Sequence, residues 1–134
     1  MIALDTNVLI YACDKADPAR QEIALDVIAS TTDAVILWQV ACEFVAASRK
    51  LERQGFTAAD AWARLNDFLG VCPLVVPTGR AVLDQAKSHH LLHNVSFWDA
   101  MILAACVDAG VSLLYSEDVP GEEIGGIPVV NPFK

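Results

Sequence analysis

Four acidic residues are spread along the 134-residue chain at positions where an α/β fold could bring them together: Asp5, Glu43, Asp99 and Asp118. Clustered carboxylates raise one another's pKa, so they cannot all stay ionised without a compensating cation. Mg²⁺ and Mn²⁺ prefer oxygen ligands of this kind. A water activated by such a metal is a good nucleophile near neutral pH, and two ions can stabilise both the attacking and the leaving oxygen of a phosphodiester. The acids therefore predict a site with one or two metal ions.

Each acid also has a purely structural interpretation. Asp5 is a favourable helix N-cap residue, and Asp99 follows Ser96 at the spacing of a capping box. Asp118 could be a turn residue, and Glu43 could lie on an exposed helix face. Glu43 is the hardest to dismiss, because it lies in the apolar segment VACEFVAAS, where an unpaired carboxylate is costly.

Small polar residues adjoin the acids in the sequence: Thr6, Asn7 and Ser116. Such side chains can orient carboxylates and waters around a metal, although they could also simply cap or turn the backbone. Glu117 is a rival metal ligand beside Asp118, and spacing alone does not choose between the two carboxylates.

A basic patch follows Glu43 by about two helical turns and consists of Arg49, Lys50 and Arg53. These side chains could contact RNA phosphates, which would position RNA without reading its sequence. They could equally be favourable charges near a helix C-terminus. The sequence leaves both interpretations open.

Histidines and large aromatic residues are two further groups of candidate functional side chains. The HHLLH segment contains His89, His90 and His93. His89 and His93 share a helix face and could hold zinc, but the glutamate of an HExxH motif is absent, so we interpret the histidines as solvated or capping residues. We interpret the large aromatic residues as core or interface residues rather than base-stacking platforms. They are Trp38, Trp62, Phe97 and Trp98.

The composition restricts the class of protein. Hydrophobic residues make up 54% of the chain and charged residues 19%, which predicts a buried core and excludes disorder. No apolar run reaches the roughly 18 residues of a membrane span, and the N-terminus lacks the basic region of a signal peptide. We therefore expect a soluble cytoplasmic protein without a membrane partner. The cysteines form no CxxC pair and are expected to be buried free thiols: Cys13, Cys42, Cys72 and Cys106.

The net charge of −8 argues against a nucleic-acid-binding protein, because such proteins usually carry a basic surface. The objection weakens if several of the carboxylates bind a divalent cation, because the cation then supplies positive charge where nucleic acid would bind.

Apolar runs alternate with helical patterns along the chain. We predict strands at Ile2–Leu4 and at residues 34–38, 71–76, 111–115 and 128–130. We predict helices at Pro18–Ser30, at residues 39–53, 58–69 and 79–92, and at Phe97–Ala109, with N-caps at Asp17, Thr57, Thr78 and Ser96. Residues 116–126 (SEDVPGEEIGG) are predicted to form a polar loop.

Strands separated by helices of this length need parallel crossover connections. The expected fold is thus one domain over residues 1–134, an α/β/α sandwich of three layers with about five parallel strands. Ligands of such sheets bind beyond the carboxyl ends of the strands, which is where Asp5, Glu43 and Asp118 fall. Asp99 joins them only if residues 93–95 cross back over the sheet.

The blocks that contain the acids also carry a family resemblance. ALDTNVLI at residues 3–10 resembles the opening of PIN-domain proteins. VACEFVAAS around Glu43, SFWDAMILAAC around Asp99 and LLYSEDV around Asp118 resemble the later blocks in the same order. GGIPVVNPF at residues 125–133 resembles the close of the bacterial VapC-like toxins. The resemblance covers essentially the whole chain.

This resemblance implies a Mg²⁺- or Mn²⁺-dependent endoribonuclease of a type II toxin–antitoxin system, with the four acids as its site. It also implies a homodimer that is inhibited by a small antitoxin. The fourth acid is the least uniform position in such proteins, and Ser116 occupies a position where threonine is also common. Three alternatives stay open: a PIN-type nuclease of housekeeping RNA processing, a non-catalytic binding module, and an aspartyl-phosphate phosphatase or phosphotransferase. A phosphatase of that type would carry an acid where this chain has Asn7.

Overall fold

The computed structural model describes residues 1–119 and 121–134, in which six strands form one sheet. The strands are β1 (Ile2–Leu4), β2 (Ala34–Leu37), β3 (Leu74–Val75), β4 (Leu113–Tyr115), β5 (Glu123–Ile124) and β6 (Ile127–Val130). Their order across the sheet is β3-β2-β1-β4-β6-β5. The first five strands in this order pair in parallel, and β5 pairs antiparallel with β6.

Helices cover both faces of the sheet, so the three-layer α/β/α prediction is confirmed. They are α1 (Thr6–Cys13), α2 (Pro18–Ser30), α3 (Trp38–Ala47), α4 (Ala58–Val71), α5 (Arg80–His93) and α6 (Phe97–Ala109). The chain passes from β1 through β2 to β3 in one direction and returns to the other side of β1 as β4. Because crossovers between parallel strands are right-handed, α1 to α4 lie on one face and α5 and α6 on the other.

The hydrophobic core lies between the sheet and these helices. All four residues of β2 are buried, as expected for a continuous apolar run in a strand that has helices on both faces. The largest fully buried side chains come from strands and helices of both faces: Leu4, Leu9, Ile36, Phe44, Leu103 and Leu114.

The antiparallel strand β5 was not predicted, since it lies in the segment that the sequence assigns to a loop. Its connection to β6 consists of Gly125 and Gly126, which have φ angles of 61° and 83°. Two consecutive positive φ angles fit a tight hairpin turn, and glycine adopts them without steric cost. Pro120, in the same predicted loop, lies outside the described residues.

Three predicted N-caps are confirmed and one is wrong. The side chains of Asp17, Thr57 and Ser96 each accept a backbone N–H bond in the first turn of their helix. By contrast, Thr78 does not cap α5, whose N-cap is Gly79. Thr78 instead donates its amide and hydroxyl to the carboxylate of Asp108 near the end of α6. This contact ties the two helices together at that end.

The predicted helix at residues 39–53 and the predicted strand at residues 71–76 differ most from the observed elements. The helix expected at residues 39–53 is α3 followed by a 3₁₀ segment, Ser48–Gln54, which Gly55 ends in a left-handed conformation. Helix α4 continues to Val71, because the Cys72 amide still donates to the Phe68 carbonyl. The expected third strand is correspondingly shorter and has two residues.

The four cysteines are free, as predicted, but Cys42 is exposed on α3, so the expectation that all four are buried is wrong. Among the residues that the structure describes, no helix is both long enough and apolar enough to cross a membrane.

Candidate active site

Asp5 lies between β1 and α1 at the carboxyl edge of the sheet, and it is only 4% exposed. Its Oδ1 accepts the Thr6 amide at 2.7 Å, which makes it the N-cap of α1. Its Oδ2 accepts the Ser116 hydroxyl at 2.6 Å. The capping role and a role in the acidic cluster are therefore compatible, since the cap fixes the direction of the carboxylate.

The pKa of Asp5 is raised from an ordinary value of 3.8 to about 6. Burial is the largest cause, because it penalises the charged form. The hydrogen bonds from Ser116 and Thr6 oppose this effect, and the nearby charges of Glu43 and Asp118 add to it. Asp5 thus lies within electrostatic range of two of the other predicted site acids.

Glu43 lies on α3, which begins where β2 ends. Its Oε2 accepts the Thr6 hydroxyl at 2.8 Å, and its Oε1 accepts the Gln39 amide at 2.7 Å. The side chain is partly buried and bound on both oxygens, so it is not a free charge on an exposed helix face. Thr6 thereby links the first acid to the second, because its backbone binds Asp5 and its side chain binds Glu43.

Asp99 lies in the first turn of α6, where its amide donates to the Ser96 hydroxyl at 3.2 Å. Among the described residues, no bond returns from the Ser96 amide to the Asp99 carboxylate, so only half of the capping box forms. Burial raises the pKa of Asp99, the Ser96 hydroxyl opposes this rise, and the charges of Asp118 and Glu43 add to it. Asp99 therefore lies within electrostatic range of Glu43 and Asp118.

The link between α3 and α6 is Gln39, which the sequence analysis missed. Its Nε2 donates to Glu43 and also to the Trp98 carbonyl, at 3.1 Å. This one amide holds the first turn of α6 beside Glu43. Its spacing of four residues from Glu43 on one helix was the available signal.

Asp118 lies in the loop after β4 and is exposed. Its carboxylate accepts the Asn7 side-chain amide at 3.2 Å. The Ser116 hydroxyl, while donating to Asp5, accepts the backbone amides of Asp118 and Val119, each at 3.1 Å. Ser116 therefore connects the loop that carries Asp118 to Asp5, and the three predicted polar neighbours all bind acids of the cluster.

Glu117 is bound by different partners. Its Oε2 accepts the Tyr11 hydroxyl at 2.7 Å, and its Oε1 lies 3.6 Å from Nε of Arg20. The hydrogen bond to this carboxylate is the largest cause that raises the pKa of Tyr11 to about 12. Sequence analysis missed Tyr11 and Arg20. The one available signal for these two residues was that Tyr11 follows Asn7 by four residues on α1.

The four acids share one electrostatic property. None of them forms an ion pair with another residue in the described part of the chain, and their hydrogen-bond donors are hydroxyls, amides and backbone N–H groups. Hard oxygen donors without an internal cation fit a divalent metal ion. Within residues 1–119 and 121–134, no three acidic, histidine or cysteine side chains form a ready-made metal-binding group. The site is thus a group of carboxylates of one charge sign rather than a preformed coordination sphere.

The predicted phosphate-binding patch lies on the 3₁₀ segment. Arg49 donates to the Phe56 carbonyl at 3.2 Å and to the Ser48 hydroxyl at 3.4 Å, so it holds the turn that leads into α4. Lys50 and Arg53 are exposed. Contact of this patch with RNA stays a prediction.

One histidine and the large aromatic residues differ from their interpretations. His89 is buried rather than solvated, with its ring against Gly125 of the β5–β6 turn. His90 fits a capping role, since its Nδ1 lies 2.9 Å from the Val95 carbonyl just beyond α5. The large aromatic residues were expected in the core or in an interface. The core position is wrong, because all four are exposed, and the interface position stays a prediction: Trp38, Trp62, Phe97 and Trp98.

Comparison with known protein families gives a match over most of the chain. The family model described as PIN domain matches residues 2–120. That range contains the four clustered acids and the polar side chains that bind them. Among curated proteins, the chain has no match.

Proposed function

This chain belongs to the PIN-domain family, and from that premise we propose that it is a metal-dependent endoribonuclease. Members of the family are typically nucleases that use divalent metal ions and act on RNA. The observation that carries the proposal is the group of four carboxylates at one sheet edge, bound only by neutral donors. An arrangement of this kind needs a cation before it can approach a phosphodiester.

We assign the metal-binding role to Asp5, Glu43, Asp99 and Asp118, with Mg²⁺ or Mn²⁺ as the ion and one or two ions per site. We prefer Asp118 to Glu117, because Glu117 already has Arg20 and Tyr11 as partners. When bound, the ion supplies the positive charge that activates a water and stabilises the phosphoryl group.

The chain's own polar residues position the carboxylates. Ser116 and the Thr6 amide fix the two oxygens of Asp5, while the Thr6 hydroxyl and Gln39 fix those of Glu43. Such outer partners keep ligands in a productive orientation. With a pKa of about 6, Asp5 is mostly ionised at neutral pH and can then bind a cation.

The decisive experiment is an RNA cleavage assay. Purified chain is incubated with single-stranded RNA and Mg²⁺ or Mn²⁺, with and without EDTA, beside Asp99→Asn. Asp67→Asn is the matched control, because Asp67 is an exposed acid on α4. We expect cleavage that EDTA and Asp99→Asn abolish and Asp67→Asn leaves intact. Cleavage that survives both EDTA and Asp99→Asn would contradict the proposal.

We further propose that the enzyme is the toxin of a type II toxin–antitoxin pair. One support is the VapC-like resemblance of the last sequence block, at residues 125–133. The other is that the acids have no internal cation, and a basic segment of an antitoxin could provide the missing positive charge. Expression of the chain alone in a bacterium should arrest growth, and Asp5→Ala should abolish the arrest. Normal growth with an active enzyme would favour the alternative of housekeeping RNA processing.

A homodimer is part of the same proposal. Exposed leucines on α5 form apolar surface of the kind that protein interfaces cover, and they are Leu83, Leu91 and Leu92. Light scattering should give twice the 14.4 kDa mass of the chain. The aspartyl-phosphate alternative finds no support, because Asn7 occupies the position where a phosphatase of that type carries a second acid.

A further inference from the structure

We propose that the chain binds one unpaired RNA base in an apolar groove beside the four acids. This inference rests on the proposed function, for which RNA is the substrate. The groove lies between the start of α3 and the first turns of α6, and it encloses about 280 Å³. Its walls include Trp38, Gln39, Cys42, Val82, Trp98 and Met101.

The groove is continuous with the acidic cluster. Gln39 forms part of its wall and at the same time donates to Glu43. Trp98 forms another part, and the next residue in the chain is Asp99. A nucleotide whose base occupied the groove would therefore have its phosphates next to the carboxylates.

Two tryptophans give the groove the surface that a base needs. Trp38 is 51% exposed and Trp98 is 61% exposed, although both are large apolar side chains. Every nucleobase has a flat π face that stacks on an aromatic ring, whatever its sequence. Stacking thus explains why both rings stay at the surface of this edge of the sheet.

Gln39 adds a polar contact with a fixed orientation. The Glu43 carboxylate and the Trp98 carbonyl are both hydrogen-bond acceptors, so the NH₂ group of the Gln39 side chain must point toward them. The carbonyl oxygen of the Gln39 side chain is then left as an acceptor, and it has no hydrogen-bond donor among the described residues. A base amino group or ring N–H can donate to it.

The size of the groove selects the occupant. A volume of about 280 Å³ is just below the roughly 300–1,000 Å³ of small-molecule pockets. An α-helix of a protein partner has a diameter of about 10–12 Å and does not enter such a space. One base fits these dimensions.

The charge of the chain favours the same occupant. Proteins usually hold RNA by neutralising phosphates with lysine and arginine, but here 9 basic residues face 17 acidic ones. Stacking does not depend on charge, so it can supply affinity that the electrostatics of this chain do not.

The first test measures base binding without cleavage. Five-nucleotide RNAs that each contain one 2-aminopurine are titrated in Mg²⁺ with the whole chain carrying the inactivating substitution Asp99→Asn, and the fluorescence quenching on stacking is recorded. We expect Trp98→Ala and Trp38→Ala to weaken binding about 5- to 150-fold, which corresponds to about 1–3 kcal/mol for a base–aromatic stack. Trp38→Phe should retain most of the binding.

The matched control is Trp62→Ala, since Trp62 is 63% exposed on α4 and does not line the groove. It should bind like the parent chain. Thermal melts of all variants verify folding, and Trp98→Leu, which keeps apolar volume without an aromatic face, replaces Trp98→Ala if the latter unfolds. Equal binding by the groove variants and the control would overturn the inference.

The second test uses cleavage with metal present. A series of RNAs is prepared in which a different single nucleotide is abasic in each. When the abasic nucleotide lies at one position beside the cut, kcat/KM should fall about 5- to 150-fold. Trp98→Ala should remove this dependence on position. If kcat/KM depends on the abasic position in the same way for Trp98→Ala and Trp62→Ala, the inference is overturned. The proposed nuclease function would remain intact in that case.

Two further outcomes separate the alternatives. If the quenching depends on Trp38 and Trp98 but the parent chain cleaves no RNA in the cleavage assay, the base site is supported and the nuclease proposal is refuted. If light scattering shows that the tryptophan variants change the oligomeric state while base binding is unchanged, the groove is an interface between copies of the chain, and the inference is wrong.

Discussion

At the scale of single residues, Ser116 has the largest set of bonds in the candidate site. Its hydroxyl donates to Asp5 at 2.6 Å and accepts two backbone amides of the following loop. It is 1% exposed, so no bulk solvent can replace these bonds. A single small side chain therefore fixes both a buried carboxylate and the backbone that carries Asp118.

Replacing Ser116 with alanine should lower the free energy of unfolding by about 1–3 kcal/mol, because buried polar groups lose their partner. The pKa of Asp5 should also rise further, since the Ser116 bond lowers it. Urea denaturation measures the first effect. Ser116→Thr, which keeps the hydroxyl, should be close to the parent, and Ser88→Ala on the exposed face of α5 is the control. Equal losses for Ser116→Ala and Ser88→Ala would refute the role given to Ser116.

Asp5 itself should make the metal-free protein less stable as the pH rises. The pKa of Asp5 is about 6 in the folded state, above the ordinary value of 3.8 that applies to the unfolded chain. The folded state therefore holds the proton more tightly, and this stabilises the fold fully below about pH 4. The stabilisation is lost as the pH rises through 6. The full difference corresponds to roughly 3 kcal/mol. Urea denaturation in EDTA between pH 4 and 7 should show this loss in the parent and a smaller one in Asp5→Asn. Identical pH slopes would contradict the raised pKa.

At the scale of elements, the site depends on how α3 and α6 meet. Gln39 donates to Glu43 on its own helix and to Trp98 on the other. The two helices lie on opposite faces of the sheet, and they approach each other at its carboxyl edge. One amide thus bridges the elements that carry two of the four acids.

Gln39→Ala should reduce nuclease activity by about 10- to 100-fold, the usual cost of losing a residue that orients a metal ligand. Its effect on the melting temperature should be small, because Gln39 is only partly buried. Gln21→Ala is the matched control, since Gln21 donates to the Ala12 carbonyl between α1 and α2. A loss of activity no greater than that of Gln21→Ala would refute the positioning role.

A second contact between elements joins α5 to the β5–β6 hairpin. A Cβ at Gly125 would collide with the His89 ring, whereas a Cβ at Gly126 would meet no atom within 4 Å. Both glycines have positive φ, so alanine costs about 1–2 kcal/mol at either position from backbone strain. Gly125→Ala should cost about 1–3 kcal/mol more through overpacking.

Thermal or urea denaturation of the two alanine variants measures the difference directly. The double variant His89→Ala/Gly125→Ala should remove the collision and recover the additional loss relative to Gly126→Ala. If Gly125→Ala and Gly126→Ala are equally stable, His89 does not pack against the turn as described.

At the scale of the whole molecule, the net charge of −8 and the unneutralised acids predict that divalent ions stabilise the fold. An ion that binds the folded state at 100 times its Kd adds about 2.7 kcal/mol. The melting temperature should rise with Mg²⁺ or Mn²⁺ more than with NaCl of equal ionic strength, and Asp99→Asn should reduce the difference. A rise that NaCl reproduces would show only general screening of the acidic surface.

The sequence by itself determined the order of most elements and the position of three acids. Alternation of apolar strands with capped helices is encoded within about ten residues, so the parallel sheet and three N-caps could be predicted. Because parallel strands share one carboxyl edge, the convergence of Asp5, Glu43 and Asp118 followed from the topology alone.

Tertiary structure alone decided how the site is completed. The bonds of Thr6 to Glu43, of Gln39 to Trp98 and of Ser116 to Asp5 join residues that are 37, 59 and 111 positions apart. Such pairs depend on how helices and loops pack, which no local pattern records. The position of Asp99 likewise depends on tertiary structure, because α5 turns into α6 through the left-handed Asn94. Glu117 faces Tyr11 and Arg20 because α1 and α2 pack beside its loop.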